Sequence, residues 1–541
     1  MLKRRLLIPT SLLGFALILG ILVHGQTNSN SLPSLAPEAL RQWLTVISSD
    51  DMEGRATFSP GLDKAAAYIS DTLKRAGVKA KGDDGSYLQH VGVQTVQATN
   101  QSTLTIEING QSRAFKNGDG VSFPANIGVK RTFTLNDVEF VGYGLNLGRT
   151  HNDYAGRNVQ GKAVVWLGLS APTSLEGTSA PLLLASRSST AIDEMNAAAA
   201  LSPAGGGRVG SPGREGGTST FTTTQRLDLP KAPAVTVSDE VLEFLFSASG
   251  LNYADLTAKA ERGEDLPVAT LKGAKLTFNL DPDYRVTATR MTQNIVGIIE
   301  GRDPQLKNTY VAFGAHYDHL GINQSIPGGA TADRIYNGAD DDGSGSTALI
   351  AIANAFMTTP KPRRSLMFAW HAGEERGLWG SQYLADHPPV PLESIIAQLN
   401  IDMIGRDRDN KDSEENTVYA VGADRISTEL HNILIDANKG LTQPLTLDFE
   451  MNDPADPERI YFRSDHFSYA AKGIPIIFFF TGLHPDYHQV TDSVEKIHFQ
   501  KMSHIVRLVY EIGRRVADLD HAPIRDFKGA RAGTGSAGKL Q

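Results

Sequence analysis

The chain has 541 residues, 40% hydrophobic and 21% charged, with a formal net charge of -8 and no cysteine. This composition suits a globular protein of more than one domain and carries no basic footprint for nucleic acid. The lack of cysteine excludes disulfides, thiolate metal sites and cysteine nucleophiles, so any transition-metal site must use His, Asp and Glu.

The N-terminus reads as a signal peptide over residues 1–25. Lys3, Arg4 and Arg5 precede an apolar run from Leu6 to Val23, and Val23 and Gly25 offer a small-residue cleavage site before Gln26. Pro9, Thr10 and Ser11 interrupt the run, which favours cleavage and export, to the periplasm or the medium, over an uncleaved anchor. No stable membrane span is expected afterwards.

Residues 33–114 read as the N-terminal part of a larger domain. Leu40, Trp43, Leu44 and Ile47 share a helical face, and Ala65–Ala76 is a second amphipathic helix stopped at Gly77. Thr103–Ile108 alternates as a strand, and Asn109–Gly110 predicts a hairpin turn. From 115 to 280 the predicted strands are short and punctuated by Gly and Asp, which predicts a β-rich insert. Within it, the Gly/Ser/Thr-rich stretch 197–225 reads as a mobile loop. From 285 to 519, apolar runs (NIVGIIEG, YVAFGAH, SLMFAWHA, AQLNIDMIG, IPIIFFFTG) alternate with helices. Runs apolar on both faces belong to central strands of an α/β sheet, mixed and mostly parallel, flanked by helices. The tail 520–541 is expected to be disordered.

In open α/β sheets ligands bind beyond the carboxyl ends of the strands. Each such end here carries a nitrogen or oxygen donor: His316 and Asp318, then Glu374 and Glu375, then Asp402, then His484, Asp486 and His488. Between the first two lies NGADDDGSGST, with Asp340, Asp341 and Asp342 opening an apolar helix, where the helix dipole favours negative charge. A carboxylate in an apolar strand, such as Asp402 between Ile401 and Met403, is costly unless paired or metal-bound. There is no G-x-S-x-G elbow, no H-E-x-x-H, no phosphate-loop lysine and no EF-hand spacing.

The set HYDHLG, NGADDDGSGS, HAGEERGLWGS, NIDMIG and DYHQVTDS resembles the two-zinc exopeptidases of the M28 family, the leucyl-aminopeptidase-like enzymes, strongly over 294–515 and weakly over 35–80. VEFVGYGL with DYAGRNVQGKAVVWLG resembles the protease-associated (PA) domain that members of the family carry as an insert. The resemblance implies the zinc-exopeptidase (phosphorylase/hydrolase-like) fold, two Zn2+ per chain and a peptide substrate. It implies that Asp341 bridges both ions, that His316 and Asp402 complete one, and that Glu375 and His488 complete the other. Glu374 would be the general base, Asp318 would accept the spare ring N–H of His316, and Tyr487 would stabilise the oxyanion. An aminopeptidase is the first reading. A carboxypeptidase or dipeptidase needs a cation for the substrate carboxylate, for which Arg334, Arg406 and Arg463 are candidates. The same motif set also admits a non-catalytic binding module, or a glutaminyl-cyclase-like transferase.

Overall fold

The computed structural model describes residues 32–204, 219–223, 227–247, 249–327 and 332–527. The leader 1–25 and most of the 197–225 stretch lie outside these residues, as do residues 528–541.

The apolar runs fold into one central sheet. Its order is 446–448, 417–421, 476–480, 395–401, 310–316, 365–371, 282–299, 88–100 and 219–223, with Lys79–Ala80 also paired on the 282–299 strand. The four strands Ile476–Phe480, Ile395–Ile401, Tyr310–His316 and Ser365–His371 are mutually parallel. On one flank 365–371, 282–299 and 88–100 pair antiparallel, and on the other 417–421 runs antiparallel to 476–480. The sheet is thus mixed, with a parallel block of four strands in its centre, where both faces are covered, and a further parallel pair, 417–421 with 446–448, at one edge. On one face, Phe313, Phe368 and Leu399 pack with Leu349, Ile352 and Phe356 of the helix Gly345–Thr358 and with Ile505 and Val509 of Phe499–Asp518. On the other face, Ala312, Met367, Phe478 and Tyr469 form a second core.

The predicted helices are present. Pro37–Ile47 buries Leu40, Leu44 and Ile47. Pro60–Ala76 starts at Ser59, whose side chain accepts from the Leu62 amide, and stops at Gly77 with φ 83°.

The β-rich insert is a closed eight-stranded barrel, with the helices Asp239–Phe246 and Tyr253–Glu261 packed on it. Its boundary differs from the sequence reading. Thr103–Ile108 and Gln111–Asn117 form the expected hairpin, with Asn109 and Gly110 both at positive φ. They pair with Val268–Leu280 and Gly120–Ser122 inside the barrel, not in the N-terminal part of the peptidase-type domain. The first residues of the expected mobile loop are also barrel. Ala199–Pro203 is a strand between 163–165 and 234–237, with Ala199, Ala200 and Leu201 fully buried. Small side chains there fit a tight barrel interior, which composition alone reads as loop. A third correction concerns the tail: the amides of Asp526 and Phe527 donate to the Ile426 carbonyl at 2.9 and 3.1 Å, so the chain is held as far as Phe527. Among the described residues no helix is long and apolar enough to cross a membrane.

Candidate metal centre

Three central strands end at one edge of the sheet and present their donors together. The strand 310–316 delivers His316, the strand 365–371 leads into Glu374 and Glu375, and the strand 395–401 ends at Asp402. The loop after 476–480 brings Tyr487 and His488. The acidic triplet stands between them, at the start of the helix Gly345–Thr358.

The triplet divides its labour. Asp340 and Asp342 are fully buried, Asp342 turned to the backbone and Asp340 to the Gly405 amide and to His484 Nε2, 3.2 Å from its Oδ2. Asp340 accepts from the Gly405 amide at 2.6 Å. Asp342 accepts from the amides of His316 at 3.1 Å, Gly345 at 2.8 Å and Met403 at 3.3 Å, which ties two strand ends and the helix start to one carboxylate. Asp341, joined to Asp342 by a cis peptide, faces the donors. Its Oδ1 lies 3.2 Å from His316 Nε2 and its Oδ2 lies 3.1 Å from His488 Nε2. The turn requires Gly338: φ is +54°, and a Cβ there would stand 2.3 Å from the Asp341 carbonyl oxygen.

Two donor groups result. His316, Asp341 and Asp402 form one, with His316 Nε2 3.6 Å from Asp402 Oδ1. Glu375 and His488 meet Asp341 on its other side, with His488 Nε2 3.1 Å from Glu375 Oε2. His319, absent from the sequence reading, joins this second group through Nδ1, 2.7 Å from Glu375 Oε1. The signal for it was available: a second histidine in HYDHLG, three residues after the first.

The donor chemistry fits divalent cations. His316 Nδ1 donates to the Asp318 carbonyl at 3.1 Å, so Nε2 carries the lone pair and points at Asp341 and Asp402. His488 Nε2 is buried and 3.1 Å from two carboxylate oxygens, yet meets hydrogen-bond geometry with neither. It aims between them, as a ligand nitrogen does. Ser464 Oγ holds Asp402 through Oδ2 at 2.7 Å.

One expected role changes. The Asp318 carboxylate does not take the spare N–H of His316, from which its Oδ1 is 3.7 Å away; the main-chain oxygen does. The carboxylate accepts from the Glu374 amide at 3.1 Å and from Thr57 Oγ1 at 2.8 Å, and so anchors the turn that carries both glutamates. The two-residue spacing places the main-chain oxygen, not the side chain, under the ring.

Charge tunes the site. Burial would push Asp341 up, but the neighbouring imidazoles of His316, His488 and His319 outweigh it and hold the carboxylate well below its ordinary range. Burial, opposed by His316 but reinforced by Glu375, Asp402 and Asp465, holds Glu374 well above its own. Burial lowers His488, but Asp341 and Glu375 overcome this and raise it to about 10. Burial first, then Asp341, holds the Tyr487 phenol well above its ordinary value, so it keeps its proton. Its oxygen accepts from Arg463 Nη2 at 3.3 Å, and its ring stacks on His488 with centroids 3.9 Å apart.

A pocket opens on this edge, lined on one side by His316, Asp341, Glu374, Asp402 and Tyr487 and on the other by Met403, Ile460, Phe478, Phe480 and Leu483. Of the three candidate arginines, Arg463 lines it. Arg406 is paired with Asp486 at 2.9 Å, and Arg334 donates to the Ile326 carbonyl.

Residues 294–513 match the model of peptidase family M28. A probable leucine aminopeptidase of Arthroderma benhamiae is 29% identical over 251 residues, 45% of this chain and 60% of the relative. One from Trichophyton verrucosum is 29% identical over 280 residues, 49% of this chain and 69% of the relative. The matched part thus spans three-fifths to two-thirds of these relatives. A zinc aminopeptidase structure from Bacillus subtilis is 18% identical with a TM-score of 0.42, covering 92% of this chain and 100% of the other. The segment 294–513, which holds every donor described above, is the part of the chain that matches peptidase family M28.

Proposed function

We propose that the protein is an exported zinc-dependent aminopeptidase that removes N-terminal residues from peptides, with two Zn2+ per chain. The observation that carries this reading is the pair of oxygens on Asp341, each turned to its own set of donors. One carboxylate shared by two cations is the simplest way to hold them at the ~3.5–4 Å of a two-metal site. Zinc suits a set made only of His, Asp and Glu. The barrel is read as the protease-associated insert.

When bound, zinc supplies a Lewis acid and lowers the pKa of its water toward neutrality. The chain does the rest. Glu374, kept basic by its surroundings, takes the proton from the attacking water and returns it to the leaving amine. Tyr487 retains its O–H and donates it to the carbonyl oxygen as negative charge develops. The Glu374 and Asp402 carboxylates attract the substrate ammonium. The apolar wall of Ile460, Phe478, Phe480 and Leu483 receives the side chain of the first residue. Ser464 and Asp318 keep Asp402 and Glu374 in register.

Arg463 supports a second reading, a carboxypeptidase or dipeptidase, because it puts a cation on the pocket wall. One experiment decides between them. Zinc-loaded protein is given leucyl substrates with free and with acylated N-termini, alongside N-blocked peptides with free carboxylates. Cleavage only at free N-termini is the expected result. Cleavage of the blocked peptides gives the second reading, and no hydrolysis of any of them removes both.

A further inference from the structure

The apolar wall of the pocket has two origins. Phe478 and Phe480 stand on the central strand Ile476–Phe480, whereas Ile460 comes from the segment 453–463, which lies against the barrel. We propose that the barrel sets this wall: Glu194 and Thr190 hold the Arg459 side chain, and Arg459 holds Ile460 in the pocket. Arg459 is thereby a positioning residue that acts through its neighbour, and the clamp favours substrates with a large apolar first residue. The inference rests on the aminopeptidase reading and goes beyond it by giving the barrel a task in the choice of substrate.

The contact is an ion pair taken out of water. Arg459 Nη1 lies 2.7 Å from Glu194 Oε1, and the two side chains are 13% and 8% exposed. The same nitrogen donates to Thr190 Oγ1 at 2.9 Å. Nearby, Ser179 Oγ donates to the Ala455 carbonyl at 2.7 Å, and Ala455 packs on the cluster of Leu175, Ala180 and Leu183. The barrel side of the contact is fixed. Glu194 ends the turn Thr190–Glu194, and its neighbours Ile192 and Met195 pack against the cluster that holds Val164 and Ala200. Those two residues face outward from the barrel, since Val165 and Leu201, which alternate with them, fill its interior. Removing one partner of a buried pair leaves the other charged and unpaired, which is costly.

Arg459 passes this hold on through its backbone. It sits at φ 53° and ψ 41°, a left-handed conformation that a residue with a Cβ adopts only at a cost, and that persists where the surroundings enforce it. The turn Ile460–Phe462 starts there, with the Phe462 amide donating to the Arg459 carbonyl at 2.9 Å. The guanidinium also lies over the Phe462 ring, 4.4 Å from its centroid. Ile460 thus follows directly on a residue whose side chain is tied to the barrel and to the turn at once. None of the donors His316, Asp341, Glu375, Asp402 and His488 comes from this segment, so the clamp bears on the wall and not on the cations.

Glu194→Gln in the full zinc-loaded chain tests this, because it keeps the shape of the side chain and removes its charge. The amides of Ile460, Phe462 and Arg463, hydrogen-bonded within the turn, should exchange with deuterium faster than in the native protein, while those of the strand 310–316 do not change. kcat/KM for a leucyl substrate should fall about tenfold, the low end of what a pocket contact is worth, with that for an alanyl substrate unchanged. Thr190→Val removes only the hydroxyl contact. It should move both readouts the same way by less, and it carries the test if Glu194→Gln does not fold. An unchanged leucyl-to-alanyl ratio in a folded variant overturns the inference, and so does unchanged exchange in the turn. An equal loss on both substrates at full metal content also overturns it, because the pair then supports the fold alone. In each of these cases the native protein still cleaves free N-termini, and the peptidase reading stands. A native protein that cleaves neither substrate overturns both.

Discussion

The guanidinium of Arg55 donates to the main-chain oxygen of Tyr317 at 2.9 Å, directly between the donors His316 and Asp318. The same side chain, fully buried, reaches the carbonyls of Ile47, Asn337 and Gly338 at 2.9, 2.7 and 2.8 Å. One residue of the N-terminal segment thus clamps the loops that carry His316 and Asp341. Burial lowers its pKa, and Asp341, Asp342, Asp492 and Asp318 oppose that shift. Arg55→Ala should lower unfolding stability by roughly 3 kcal/mol or more, since it strands several buried carbonyls and removes the cation near an acidic cluster. Arg55→Lys should not restore it, because an ammonium lacks the planar fork. Urea titration of the three proteins checks both statements.

Glu374 and Glu375 should fail differently. Glu375→Gln removes a charged donor, and one zinc should be lost or weakened. Glu374→Gln should keep both ions and lower kcat and kcat/KM together by at least ~10²–10⁴, the range of general acid–base catalysis. Metal analysis beside steady-state kinetics reads the outcome. The reverse pattern exchanges the two roles.

Asp492 should matter to metal without touching it. Its carboxylate accepts from the Asp340 amide at 3.0 Å and from the Asp341 amide at 3.1 Å, so it holds the peptide that presents the Asp341 side chain. Asp492→Asn turns an amide group toward those N–H donors. The expected result is a ~10–100-fold loss of zinc affinity in chelator competition, with the circular dichroism spectrum preserved.

pH should act on the metal-free and metal-loaded proteins in opposite senses. Without metal, His488 is raised to about 10 by Asp341 and Glu375. A raised histidine stabilises fully below its unfolded value of about 6.5, and that contribution is lost as pH rises through its folded value. Metal-free protein should therefore lose stability from about pH 6.5 to 10. Zinc must displace that proton, so its affinity should rise over the same interval. Thermal melts and zinc titrations at several pH values test the pair. A metal-free protein that gains stability across this interval contradicts the role of His488.

The donors on the central strands were legible because each follows an apolar run long enough to mark a buried strand, which fixes the sheet edge where His316, Glu374 and Asp402 meet. Arg55 was not: it lies in a polar turn, and its four acceptors come from segments up to 283 residues away. His319 was masked by its neighbour His316, because a loop beginning at a strand end gives no periodicity to show where its third residue turns. The barrel limits were blurred for a related reason. Ala199–Leu201 earns its place only by pairing with 163–165 and 234–237, and barrel pairing is non-local.

The barrel leaves the sheet after Asn100 and returns at Pro282, and these two residues are themselves Cα partners in the antiparallel ladder. During synthesis the barrel can therefore be complete before the 282–299 strand has left the ribosome. Once folded, it hands its two ends over side by side, and the pairing of 88–100 with 282–299 begins as a hairpin would. For a flexible chain of the same length, closure would cost on the order of 4–5 kcal/mol in entropy. A lesion inside the barrel, far from any zinc donor, should accordingly slow assembly of the sheet and raise aggregation of newly made chains, while protein that does mature turns over substrate at the normal rate.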